Sequence, residues 1–233
     1  GYDFADWIKL SSEIEIEHAY VTDGAGGEIS IEQLFVDFEL GRHFNIRAGR
    51  MLAPLGITNE NHEPPLTWGV ERPLFDKYII PSTWSVDGIG AWGEICDKLT
   101  YKAYIVGGLD GSKFDAMNGI RKGRIKERGS LQDIAVTGRL DYTPFESIDQ
   151  MLRIGVSGYC GGTNNANKGK ENGVGGNLKI YSADFAYRNR RFEARGAMAY
   201  ETISNAKAIG NNTADAIFGW YLEAGYHIVR PGD

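Results

Sequence analysis

The residues best equipped for chemistry in this chain are acids and bases that recur at every second position. Glu13, Glu15 and Glu17 alternate with Ile14 and Ile16, and Asp37 and Glu39 alternate with Phe38 and Leu40. Later segments carry bases in the same rhythm: Arg47, Lys102, Arg139, Arg153, Arg188, Arg191 and Arg195. Period two sends neighbouring side chains to opposite faces of a strand, so the charges share one face and the apolar residues the other. Rows of charge along strands are suited to lining a wall. Acids on early strands facing bases on later ones would set a transverse field across an enclosed lumen, orienting dipolar solutes. The same acids and bases can also pair and hold the wall in shape, and the two roles are compatible.

Other constellations are weaker. Ser, His and Asp are all present, but there is no Gly-x-Ser-x-Gly elbow, and the four histidines are scattered without ligand spacing. Asn59-Glu60-Asn61-His62-Glu63 offers oxygen and imidazole ligands, yet the spacing fits no established metal motif and reads as a solvated polar loop. Asp110-Gly111-Ser112 starts like a calcium loop without the acids that should follow. Gly173-Val174-Gly175-Gly176 is glycine-rich but is not followed by the helix that phosphate binding requires. The expectation is a protein that is not an enzyme and carries no metal or cofactor. The competing class is a membrane hydrolase, which an activity assay would separate.

The elements that must position these charges are strands. Apolar residues alternate in segments around 7–21, 33–40, 44–48, 89–95, 99–105, 134–143, 152–157, 181–188, 191–200 and 218–228. That gives about ten strands of membrane-crossing length. Short polar turns fall at Gly41-Arg42-His43, Cys96-Asp97-Lys98 and Asn189-Arg190; Thr143-Pro144-Phe145 reads as a strand end. Long Gly- and Asn-rich breaks fall at 53–83, 110–130, 160–177 and 204–215. Short turns on one side and long loops on the other are the plan of an antiparallel up-and-down transmembrane β-barrel, an all-β fold. A soluble β-sandwich also alternates, but nothing in it demands that short and long connections take turns. Tyr20, Tyr101, Tyr142, Tyr200, Trp220 and Tyr226 sit near apolar strand ends, as interfacial belts require.

Composition agrees. No stretch approaches the roughly 18 apolar residues of a membrane helix, and a mean hydropathy of −0.33 suits strands that are apolar on one face only. The 31 glycines and 12% aromatic content fit turns and girdles. A net charge of −6 argues against a nucleic-acid partner. Two cysteines, Cys96 and Cys160, are too few for a disulfide scaffold and are expected unpaired, on opposite sides of the strands. No charged-then-apolar leader opens the sequence.

The break at 53–83 exceeds the ordinary length of about 12–15 residues for an unstructured connection, which marks it as functional. Glu60, His62, Glu63, Arg72, Asp76 and Lys77 would narrow a lumen if it folds inward. An external lid or a contact with a neighbouring subunit is the alternative. The basic run 121–128 could meet lipopolysaccharide phosphates or simply be solvated.

The run Asn45-Ile46-Arg47-Ala48-Gly49-Arg50-Met51-Leu52-Ala53-Pro54-Leu55-Gly56 resembles a stretch of the phosphate-selective porin O/P-like family, in which a strand ending in Arg-x-Gly-Arg enters a Pro-x-Gly loop. Three later pieces are similar and in the expected order: 106–111, 138–144 and 219–226. The resemblance implies a barrel of about sixteen strands, so residues 1–233 are expected to form a single barrel domain that is incomplete at one or both ends. The family's phosphate selectivity does not carry over, because its arginine ladder cannot be matched residue by residue. The expected role is a porin in a bacterial outer membrane, passing small hydrophilic solutes or ions and touching lipid and lipopolysaccharide. Such porins are often trimers, so a homotrimer is the expected assembly. A structural sheath or surface scaffold for a partner protein is the alternative.

Overall fold

The protein is described by a computed structural model covering residues 1–17, 27–63, 66–126, 129–165 and 175–229. Tyr20, the turn after it, Gly173 and Val174 of the glycine-rich run, residues 127–128 and the C-terminal turn lie outside the described residues, as does the side chain of Glu17.

Eleven antiparallel strands form one sheet, each paired with its neighbours in sequence. They are β1 (Tyr2–Ala5), β2 (Ile8–Glu17), β3 (Glu28–Phe38), β4 (Asn45–Leu52), β5 (Ser85–Cys96), β6 (Leu99–Gly107), β7 (Ile134–Glu146), β8 (Gln150–Gly162), β9 (Asn177–Asn189), β10 (Phe192–Ile203) and β11 (Ala216–Tyr226). Short and long connections take turns along the whole order, as the punctuation of the sequence requires. Two short helices, α1 (Phe75–Tyr78) and α2 (Ala206–Ile209), lie in long connections. No helix among the described residues is long and apolar enough to cross a membrane. The order runs from β1 to β11, and no pairing joins these two strands among the described residues.

The count exceeds the expected ten because β1 is only four residues long, too short to show a period. A second difference lies at Thr143-Pro144-Phe145. The strand does not end there but continues to Glu146 through a register shift between Tyr142 and Phe145. Proline lacks the N–H that a ladder needs, and a bulge is where a sheet can accept it.

Alternation is cleanest in β11, where Phe218, Trp220, Leu222 and Tyr226 are 61–68% exposed while Tyr221 and Glu223 are half-buried. The same outer face continues through Ile14, Leu34, Ile89, Ile105, Leu140, Ile154, Tyr181 and Met198, all exposed. The inner face differs from expectation. Charged residues crowd its half toward the short turns, and fewer, Glu15, Glu32 and the buried Glu201 among them, lie toward the long loops. Toward the long loops, Met51, Val86, Val106, Tyr159, Leu178, Ile180 and Ile203 are buried beneath loop residues Leu55, Phe75, Ile80, Leu109, Phe114, Ile120 and Ile209. The long loops bring apolar side chains of their own, and burying these against the wall is the favourable course. Both cysteines are free and exposed, Cys96 at the short-turn end of β5 and Cys160 near the long-loop end of β8.

Gly49 shows why the Arg-x-Gly-Arg run has its composition. Its φ is +130°, a conformation that side chains rarely adopt, and an added Cβ would press into the Leu34 carbonyl. It pairs with Phe35, and the Arg47 guanidinium lies 3.9 Å over that ring. Arg50 then forms a bidentate pair with Asp87 at 2.9 Å and donates to the Ile31 carbonyl, where β3 and β4 part. Gly49→Ala is expected to cost about 1–3 kcal/mol of strain, measured as a lower melting temperature in detergent. An unchanged melting temperature would contradict this geometry.

Candidate functional site

The segment between β4 and β5 folds onto the inner face of the sheet. Asn59 closes its neck. The Asn59 amide donates to the carbonyls of Ala53 (2.7 Å) and Trp84 (3.1 Å), and its oxygen accepts from the Trp84 amide (2.7 Å). This residue was expected in a solvated loop but is only 1% exposed. Its four hydrogen-bonding positions suit a place where two chain ends meet.

From the neck the segment crosses the wall, touching strand after strand. The Gly56 amide donates to Ser157 Oγ at 3.1 Å, and its carbonyl accepts from Arg139 at 3.0 Å. Lys102 pairs with Glu60 at 2.6 Å. Phe75 of α1 packs on Tyr221, with ring centroids 5.4 Å apart. Arg195 donates to the Leu66 carbonyl, lies 4.5 Å over the Trp68 ring and pairs with Glu223 at 2.6 Å. Arg72 donates to Ser82 Oγ and to the His62 carbonyl, bracing the segment from within.

The strand charges named from the sequence mostly share this face, and many are paired. Asp37 holds Arg47 through two 2.8 Å bonds, and Glu39, just past β3, pairs with Lys9 at 2.6 Å. Arg139 binds Asp141 and Asp184. Arg191 is set apart. It sits in the short turn before β10 and donates to the His227 and Ile228 carbonyls. Lys77 is exposed beside the Tyr78 ring and does not join the group. In the basic run, Arg124 is turned inward and donates to the Pro81 and Thr83 carbonyls, so it is not a solvated loop charge.

What remains unbalanced is segregated. Glu13, Glu15, Glu32 and Glu63 gather around His62 at the β2–β3 side. At the other side, Arg153, Arg188 and Arg195 line a cavity of about 270 Å³ together with Trp68 and Asp76, and Arg72, also on its lining, lies between the two groups. The Nε atoms of Arg153 and Arg188 are buried there without a hydrogen-bond partner. Arg153 also lines a second polar cavity of about 280 Å³ with Arg47, Glu60, Lys102 and Asp141. Arg72 in turn lines a third, of about 180 Å³, with Glu15, Glu32 and Lys126. The cavities therefore adjoin one another around the infolded segment.

Several of these residues escaped the sequence. Glu32 is not among the charged positions read from the sequence; by parity it falls with Leu34 and Val36, but a register shift between Glu13 and Ile14 in the β2–β3 pair brings it inward. Asp141, Asp184 and Glu223 had the right parity, which was a usable signal, and only their pairing partners were hidden. Gly56 carried no signal, because its role is played by backbone atoms.

No family model matches this chain. It is 35% identical over 251 residues to an uncharacterized protein of Aquifex aeolicus (strain VF5). That match covers all of this chain and 55% of the relative, so the chain spans about half the relative's length.

Burial pushes the Asp76 carboxyl up to about 7 from an ordinary 3.8, against the opposing pull of a Thr58 hydrogen bond and of Arg195 and Arg72. A raised acid keeps its proton longer in the folded chain than in the unfolded one. Its contribution is therefore fully present below about pH 4 and is lost as pH rises through about 7. Asp76→Asn removes the ionisation, so the variant should gain stability relative to the parent between pH 4 and pH 8, on the order of a few kcal/mol. Thermal melts in detergent at the two pH values check this, and a constant difference between the chains would refute it.

Proposed function

We propose that this chain is the greater part of a bacterial outer-membrane porin, passing small hydrophilic solutes or ions along the polar inner face of its sheet. One observation carries the reading: a single up-and-down sheet exposes apolar side chains along its outer face from β2 to β11 and carries charged residues on its inner face. A soluble sandwich would cover that outer face with a second sheet, and the described residues supply none. Exposed apolar surface on this scale marks contact with lipid or with another protein. In lipid the free edges of β1 and β11 would leave backbone groups unpaired at several kcal/mol each, so closure by further strands belongs to the proposal. The greater length of the Aquifex aeolicus relative is compatible with this. Contact with lipopolysaccharide and assembly as a homotrimer are the surroundings we infer.

The adjoining cavities around the infolded segment support solvent passage, and the arginines that line them, Arg153 and Arg188 with their Nε atoms unbonded, support a preference for anions. The apolar packing beneath the long loops favours a second reading, a sheath or scaffold whose lumen stays closed.

Planar-bilayer recordings on the purified protein separate the two readings. A porin gives discrete conductance steps and a reversal potential of anion-selective sign in a salt gradient. Arg153→Ala with Arg188→Ala should shift that potential toward cations while retaining the steps. Absence of any conductance would favour the sheath, and hydrolase activity without conductance would discard both.

A further inference from the structure

Among the described residues, one group has the ligand types of a metal centre. Glu13 of β2, with His62 and Glu63 of the infolded segment, each place a ligand atom within 4.8 Å of the others. The His62 ring is buried, at 7% exposed. Its Nδ1 lies 3.2 Å from the Asn59 carbonyl, which can only accept, so that nitrogen carries the hydrogen. Its Nε2 points at Glu32, 3.0 Å from the carboxylate oxygen. A ring oriented through one nitrogen so that the other faces acidic ligands is the usual setting of a metal-binding histidine. Ligand atoms held at about 2.0–2.2 Å from one tetrahedral ion lie about 3.3–3.6 Å apart, so a small closing of the 4.8 Å group would seat an ion.

Charge points the same way. Glu13 and Glu63 place carboxylate oxygens within 4.8 Å of each other, and the Glu15 and Glu32 carboxylates face each other beside them. Four carboxylates thus meet around one imidazole, with the Lys126 charge acting on Glu15. Two carboxylates this close repel unless a proton or a cation lies between them. Gln33 fixes one of them, donating to Glu13 at 2.5 Å, as an outer support would. The donors come from three places in the chain, β2, β3 and the infolded segment, so an ion here would tie the segment to the wall.

We propose that Glu13, His62 and Glu63, with Glu32 beside them, bind one divalent transition-metal ion of the Zn2+ type, and that the ion clamps the infolded segment against β2 and β3. Imidazole with carboxylate selects such an ion over Mg2+ or Ca2+, which take oxygen ligands. The site requires no pore, so its test stands apart from conductance.

The experiment uses the full chain in detergent, stripped with a chelator and titrated with Zn2+ by calorimetry, with metal content measured after dialysis. One Zn2+ should bind per chain and raise the melting temperature, and Mg2+ at equal concentration should do neither. His62→Ala and Glu63→Gln should each weaken binding at least tenfold, about the loss seen when a metal's supporting groups are removed. Glu63 is exposed, so its variant reports on the site even if His62→Ala fails to fold. Glu60→Gln, whose parent side chain pairs with Lys102, should leave Zn2+ affinity unchanged. Lack of saturable Zn2+ binding overturns the proposal, as a proton shared between the acids would predict. Wild-type affinity in folded Glu63→Gln, or equal stabilisation by Mg2+, overturns it as well.

Discussion

Arg139 is the point on which the wall and the infolded segment both depend. All five of its N–H groups are used: two on Asp141, two on Asp184 and one on the Gly56 carbonyl. The side chain is 3% exposed and Asp184 is fully buried. Asp141, Gly155 and Asp184 form one cross-strand row over β7, β8 and β9, and the guanidinium lies over Gly155, where any side chain would collide with it. A buried charge so fully bonded is not a large net source of stability. Removing one partner, however, strands the others at a cost of about 3–5 kcal/mol. The cluster therefore specifies register more than it strengthens the fold, and through Gly56 it also fixes where the segment lands.

Elsewhere on the inner face the same economy holds. Asp37 with Arg47, Lys102 with Glu60, and Arg195 with Glu223 satisfy one another across strands or across the segment. These pairs neutralise the middle of the face. The surplus is left at its two sides, acids around His62 and guanidinium groups around Arg153 and Arg188. Shape and field, the two roles open to the charged rows, are thus divided between different residues.

How much of this was legible depends on how local each cause is. Period two and turn composition are local, so the strand faces and the alternation of loops could be read directly from runs such as Phe218–Ile228. Bulges are not local. Pro144 reads as a terminus unless the register shift between Tyr142 and Phe145 is known, and the parity of Glu32 misleads for the same reason. The inward packing of the 53–84 segment was open in sequence because it depends on Phe75 meeting Tyr221, residues far apart in the chain. Apolar inner residues such as Val106 and Ile180 were hidden by the same distance, since their partners are loop side chains. The candidate metal ligands show the limit well: His62 lay in a run that matched no spacing, because Glu13 reaches it from another strand.

The neck at Asn59 has a consequence for how such a protein can change. One side chain binds both ends of the segment, so the wall is held in the same geometry whatever lies between those ends. Closing a loop grows only slowly more costly with its length, by about 0.6 kcal/mol per doubling. Between the points where Gly56, Glu60, Leu66 and Phe75 meet the wall, the segment can therefore change in length at small cost while the strands stay in place. The wall and the surface that the segment presents inside it can evolve at separate rates, with Asn59 as the boundary between them.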